Sequence, residues 1–185
     1  SSITQGFASL HLGAAHLSLA THRLGIDFLN LGFGGSCHAE PALIEYLATR
    51  ADWHVGWLEL GANMIGGKEP FSDAAFAQRA RFAVEQLSAS PARPLFVTTL
   101  YPGTHDLPGA PRAGEPWREI IREVVRSIDR PHVHLVEGER LLAWSGLSAD
   151  LCHPSDVGHA QMAAAAEEQL SPVISALRLR RDRAL

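Results

Sequence analysis

Four short segments of this chain carry groups that could do acyl chemistry together. Ser1-Ser2-Ile3-Thr4 brings a hydroxyl, and Asn30-Leu31-Gly32-Phe33-Gly34-Gly35-Ser36 brings a turn rich in glycine amides. Leu60-Gly61-Ala62-Asn63 adds a side-chain amide, and Asp150-Leu151-Cys152-His153-Pro154 adds a carboxylate three residues before an imidazole. Those are the parts needed to attack an acyl carbonyl and to stabilise the oxyanion that results. Each segment alone has a plainer reading: Ser2 as a cap, Gly32 to Gly35 as a tight turn with positive φ, Asn63 as a turn former, Asp150 and His153 as a surface turn. Taken in order, they point to a serine hydrolase.

The same residues resemble a known family, the SGNH hydrolases, or GDSL-type esterases and lipases. Its first block reads Gly-Asp-Ser-Ile/Leu or Gly-Ser-Ser-Ile-Thr, and Ser1-Ser2-Ile3-Thr4 looks like the second form without its leading glycine. The second block, a glycine five positions after an asparagine, is matched by Asn30 and Gly35. Gly-x-Asn-Asp is matched by Gly61 and Asn63, with Met64 in place of the acid, and Asp-x-x-His-Pro is matched in full by Asp150, His153 and Pro154.

The resemblance implies a role for each residue. Ser2 is the nucleophile and His153 the base that takes its proton and returns it to the leaving group. Asp150 orients the imidazole, and Pro154 restricts His153 to extended conformations. The Ser2 and Gly35 N–H groups and the Asn63 amide form the oxyanion hole. The expected activity is hydrolysis of short-chain or acetyl carboxylic esters, on small-molecule or carbohydrate substrates, without cofactor. Two alternatives stay open: an acyltransferase using the same groups, and an inactive module that binds ligands in the same pocket. A nucleotide-binding flavodoxin-like module would need a more specific phosphate loop than Gly32 to Gly35.

Composition narrows the field further. A chain of 185 residues fits one domain with a substantial core, with 46% apolar and 19% charged residues. A formal net charge of −4 argues against nucleic acid. The only basic run, Arg178, Arg180, Arg181 and Arg183, reads as a solvated helix end. Two cysteines, Cys37 and Cys152, make no disulfide framework and read as free thiols. No apolar run is long enough to span a bilayer, and no leader sequence is visible. The setting expected is cytoplasmic, with secretion left open by the abrupt start. The histidines have no paired metal-ligand spacing, so no metal site is expected.

The elements that must position these groups alternate. Helical periodicity runs over 7–23 and stops at Gly25, followed by a buried strand over 26–31 that breaks into the glycine turn. Helices are predicted over 41–50, 71–88, 116–128 and 155–177, with Ser72 as an N-cap, and strands over 55–60, 94–101 and 132–136. Residues 102–116 read as one surface loop bordering the pocket, with Tyr101 and Trp117 beside it. Alternation implies a parallel sheet covered on both faces, with the ligand beyond the carboxyl ends of the strands. The expectation is a single domain over 1–185 of α/β class, a three-layer α/β/α arrangement with a flavodoxin-like sheet. The resemblance also implies a central strand upstream of Ser1, lying between those containing Phe28 and Leu58. It makes the chain the C-terminal part of a longer protein, and residues 1–185 alone are expected to be insoluble or molten.

Overall fold

The computed structural model describes residues 1–66 and 70–182. In chain order the elements are helix α1 (Ser2–Gln5), α2 (His16–Leu24), α3 (Pro41–Thr49), strand β1 (Gly56–Glu59), α4 (Asp73–Leu87), β2 (Leu95–Thr98), α5 (Glu115–Ile128), β3 (Val133–Val136), α6 (Gly138–Leu141) and α7 (Asp156–Asp182). Strand order is β1-β2-β3, all parallel, with Trp57 opposite Phe96 and Phe96 opposite His134. This is the expected α/β class.

Side-chain alternation along the strands builds the layers. Leu58, Leu95, Val97, Val133 and Leu135 point into one core, shared with Ile44 of α3, Phe76, Ala80 and Val84 of α4, and Trp117 and Ile121 of α5. Trp57, Phe96 and Val136 point the other way, into the layer where α2 and α7 pack. Ala20, Ala163 and Ala166 are fully buried where those two helices meet, because small side chains let the backbones approach.

Local chemistry explains most boundaries. Ser72 caps α4 by accepting the Ala75 N–H at 3.1 Å. Gly25 ends α2 in the left-handed region, φ 62°. The 102–116 loop is not simply surface: Tyr101, Pro102 and Gly103 are buried, and a 3-10 turn covers Thr104–Asp106. Buried Arg118 holds that loop, donating to the Leu100 and Tyr101 carbonyls and to both Asp106 oxygens. Trp117 is core, stacked on Phe76 with its Nε1–H donating to Asp73.

Two expectations fail. The helix predicted over 7–23 begins only at His16. Gly6 at φ 99° and Ala8 at φ 65° break the backbone first, and Leu10 is 81% exposed. Residues 26–31 form no strand and join no ladder: among the described residues β1 pairs only with β2. Of the basic run, Arg178 donates to the Leu24 and Gly25 carbonyls, and Arg183 lies outside the described residues. Among the described residues no helix is long and apolar enough to cross a membrane.

Candidate active site

The nucleophile candidate sits on α1, a single turn. Ser1 Oγ accepts the Ile3 N–H at 3.0 Å, and Gly6 closes the turn. One helical turn separates side chains into faces three residues apart. Ser1 and Thr4 share one face, and both hydroxyls donate to the Glu59 carboxylate at the end of β1. Ile3 points into the core. Ser2 and Gln5 share the third face, against the glycine loop, where Gln5 Oε1 accepts the Gly34 N–H at 2.8 Å.

That loop is fastened to α1 by backbone as well. Asn30 Nδ2 donates to the Thr4 carbonyl at 2.9 Å, while Asn30 Oδ1 accepts the Gly32 N–H at 2.9 Å. Gly32 is required by close approach: a Cβ there would lie 2.3 Å from Gln5 N and 2.7 Å from Thr4 C. Gly35 turns the chain at φ 74°. Two residues on, the Cys37 N–H donates to Asn63 Oδ1 at 3.1 Å, so the Asn63 amide turns its NH2 end away from that bond. Among the described residues the N–H groups of Ser2 and Gly35 and the Asn63 NH2 have no acceptor. Three donors of the predicted oxyanion hole are thus uncommitted. Met64 is fully buried, so the position that carries an acid in the resembling family faces the core here.

His153 stands opposite. Its Nε2 is 2.8 Å from Ser2 Oγ, and its Nδ1 is 2.6 Å from Asp150 Oδ2. The carboxylate on Nδ1 fixes that nitrogen as the donor and leaves Nε2 to accept from the hydroxyl. Asp150 is itself tightly held, its Oδ1 accepting from Ser148 Oγ at 2.7 Å and from the Cys152 and His153 N–H groups at 2.9 Å. Burial works against its charge, but the hydrogen bonds from His153, Ser148 and Cys152 outweigh it and hold the carboxyl well below its usual range. The Ser148 N–H to His153 carbonyl bond, 2.8 Å, keeps the turn closed ahead of Pro154.

The Phe7 ring lies 4.4 Å from that of His153, and the Phe7 carbonyl accepts from His159 Nε2 at 3.2 Å. His159 Nδ1 accepts the His16 N–H at 3.3 Å, and the two imidazoles stack at 5.8 Å. The cysteines are poor rivals to Ser2. Burial pushes the Cys37 thiol up to about 11 and raises that of Cys152, and both are free.

A cavity of about 30 Å³ adjoins the site, lined by Ile3, Ala62, Tyr101, Pro102, His105 and Cys152 among others. Ile3, Ala62 and Cys152 are each one residue from Ser2, Asn63 or His153. None of Ser2, Gly35, Asn63, Asp150 or His153 itself lines this cavity, nor a wider groove of about 450 Å³ lined by Arg81, Glu85, Ser127 and Arg130. Among the described residues no group of three metal-ligating side chains converges. His132 donates to the Ser88 carbonyl and His134 stacks on Phe96.

The structure therefore brings Ser2, Asp150 and His153 into one chain of hydrogen bonds, with Gly34 packed against Ser2 and the Gly35 and Asn63 donors uncommitted. Sequence reading missed Gln5, Glu59 and Phe7. Glu59 alone left a signal, an acid inside the apolar run Val55 to Leu60.

The profile of the GDSL-like Lipase/Acylhydrolase family matches residues 1–161. Among solved structures, the salicylyl-acyltransferase SsfX3 from a tetracycline biosynthetic pathway is similar, with TM-score 0.75 and 19% identity, over 91% of this chain and 51% of that one. A protein from Bacteroides ovatus described as a GDSL-like lipase gives 0.77 and 22%, over 94% and 51%. The M. smegmatis aryl esterase gives 0.69 and 14%, over 93% and 95%. The chain spans about half the length of the first two. Among curated proteins none matches the chain in sequence.

Proposed function

The chain belongs to the GDSL-like lipase/acylhydrolase family, and we propose that it is a serine esterase cleaving short-chain or acetyl carboxylic esters through an acyl-Ser2 intermediate. The observation that carries this reading is the hydrogen-bonded series Ser2 Oγ, His153 Nε2, His153 Nδ1, Asp150 Oδ2. In the first step Ser2 Oγ attacks the ester carbonyl while its proton passes to His153 Nε2. Asp150 stabilises the imidazolium. Negative charge collects on the carbonyl oxygen, where the Ser2 and Gly35 N–H groups and the Asn63 amide receive it. Collapse expels the alcohol, protonated by His153. Water then repeats the cycle on the acyl-enzyme, giving the acid and restoring Ser2.

Two features support the finer assignment. The cavity beside Ile3 and Ala62 is small: about 30 Å³ takes one or two methyl-sized groups. The side chain of His153 is 17% exposed, so solvent reaches the base, as hydrolysis of the acyl-enzyme requires.

The test is a panel of p-nitrophenyl esters from acetate to decanoate, run beside acetylated sugars, with fluorophosphonate labelling of the wild type and of Ser2→Ala. Acetate or propionate should give the highest kcat/KM, and Ser2→Ala should lose both turnover and label. Retention of more than a few per cent of the rate by Ser2→Ala would remove Ser2 as nucleophile. Equal rates on decanoate would remove the short-acyl assignment.

A further inference from the structure

Glu59 is a buried carboxylate that the proposed chemistry does not use. It is 6% exposed, and both of its oxygens are engaged by hydroxyls of α1: Oε1 by Ser1 and Oε2 by Thr4. Those two residues flank the nucleophile, and their shared face is one turn-step away from the face that carries Ser2 and Gln5. α1 is too short to hold its own orientation; an isolated turn of four residues has no stability in water. Something outside it must fix its rotation about its axis. Ile3, in the core, fixes how deep the turn sits. The glycine loop holds its far side through Gln5 and the Thr4 carbonyl. Among the described residues Glu59 is the one charged side chain bonded to the turn, and it holds Ser1 and Thr4 from the end of β1.

Resting on the reading of Ser2 as nucleophile, we propose that Glu59 is a positioning residue that sets the rotation of α1 and so aims Ser2 Oγ at His153 Nε2. A carboxylate suits this task because each oxygen is an acceptor. Two hydroxyl donors three residues apart can be satisfied at once, and hydrogen bonds to a charged group are the strong ones. Glu59 touches neither the substrate nor the reacting atoms. Its effect is to keep the attacking oxygen within the 2.8 Å that proton transfer needs. Misplacement of a reacting group by about 1 Å can cost on the order of 10²-fold in rate.

The experiment compares wild type, Glu59→Gln, Thr4→Val, Thr4→Ser and the double variant Glu59→Gln/Thr4→Val. Each is assayed for p-nitrophenyl acetate turnover, for the rate and final stoichiometry of fluorophosphonate labelling, and for Tm. Glu59→Gln keeps the side chain's size but replaces one acceptor by a donor. It should lower kcat at least tenfold with KM within twofold of wild type, and slow labelling by a similar factor while every molecule is still labelled in the end. Thr4→Val should slow the reaction in the same manner, Thr4→Ser should restore it, and the double variant should be scarcely worse than Glu59→Gln, because the two act as one unit.

A merely structural role for Glu59 predicts otherwise: fewer labelled molecules, each at the wild-type rate, with a lowered Tm. That result, or wild-type kcat in Glu59→Gln, overturns the proposal. Should Glu59→Gln fail to fold, Thr4→Val against Thr4→Ser decides it alone. A wild type that fluorophosphonate does not label would instead refute Ser2 as nucleophile.

Discussion

Replacing His16 by leucine should flatten the acid side of the protein's stability curve. His16 is fully buried, and among the described residues neither ring nitrogen has a hydrogen-bond partner. Burial, reinforced by the neighbouring His159, lowers its pKa from 6.5 to about 3. In the unfolded chain the ring titrates near 6.5, so between those values the unfolded state binds a proton that the folded state refuses. The sign follows: a group whose folded pKa is depressed opposes folding as pH falls below 6.5. At pH 5 the unfolded ring is about 97% protonated and the folded ring about 1%, which costs about 2 kcal/mol relative to pH 7.5. That is a large share of the roughly 5–15 kcal/mol that holds a domain together. Leucine is similar in volume and removes two buried nitrogens that have no partner, so the variant should be at least as stable as wild type at pH 7.5. Urea unfolding at pH 7.5 and pH 5.0 measures the difference. Between the two pH values wild type should lose about 2 kcal/mol more than His16→Leu, all other groups cancelling. Equal losses would mean that His16 finds a proton-accepting partner on acidification, and the reasoning from burial would be wrong.

Other expectations concern the site and its supports. Asn63→Ala should lower kcat by about 10²–10³ with little change in KM, because a single oxyanion donor is removed; steady-state kinetics on p-nitrophenyl acetate checks this, and a change in KM alone would make it a substrate-positioning group. Gly32→Ala forces a methyl group into the Thr4 and Gln5 backbone, so the loop and α1 must separate. Its kcat should fall about 10²-fold while circular dichroism keeps the wild-type helix content. Arg118→Leu removes the donor of the Leu100 carbonyl and of Asp106 Oδ1, while the Tyr101 carbonyl keeps His105 Nε2 and Asp106 Oδ2 keeps the Gly103 N–H. Loss of one partner of a buried ion pair costs about 3–5 kcal/mol, to be read as a lowered denaturation midpoint.

Much of this molecule was legible before its structure. The strands around Trp57, Phe96 and Leu135 announced themselves by apolar, β-branched or aromatic content, and α4 by its periodicity and its Ser72 cap. Ser2, Gly35, Asn63, Asp150 and His153 fell in an order that implied one chemistry, and the structure brings Ser2 against His153 and His153 against Asp150. What resisted reading was set by tertiary contact. Residues 7–15 have helical spacing, yet two positive-φ residues and the pull of Phe7 toward His153 and His159 override it. Residues 26–31 have strand composition, but a ladder requires a neighbour, which composition cannot reveal. Gln5 and Glu59 act through partners 29 and 55 or more positions away, separations at which local patterns carry no information.

The hydrogen bond between Ser2 and His153 spans 151 positions of the chain, and this bears on how activity is gained during folding. The turn at α1 and the turn from Asp150 to His153 are local and can form within microseconds. Joining them closes a loop of nearly the whole chain, whose entropic cost is repaid only once the intervening sheet and α7 have packed. Neither turn is catalytic alone. Catalysis should therefore return with the slowest phase of refolding, after helix content and core burial have recovered, which makes ester turnover a reporter of the completed topology and not merely of the site.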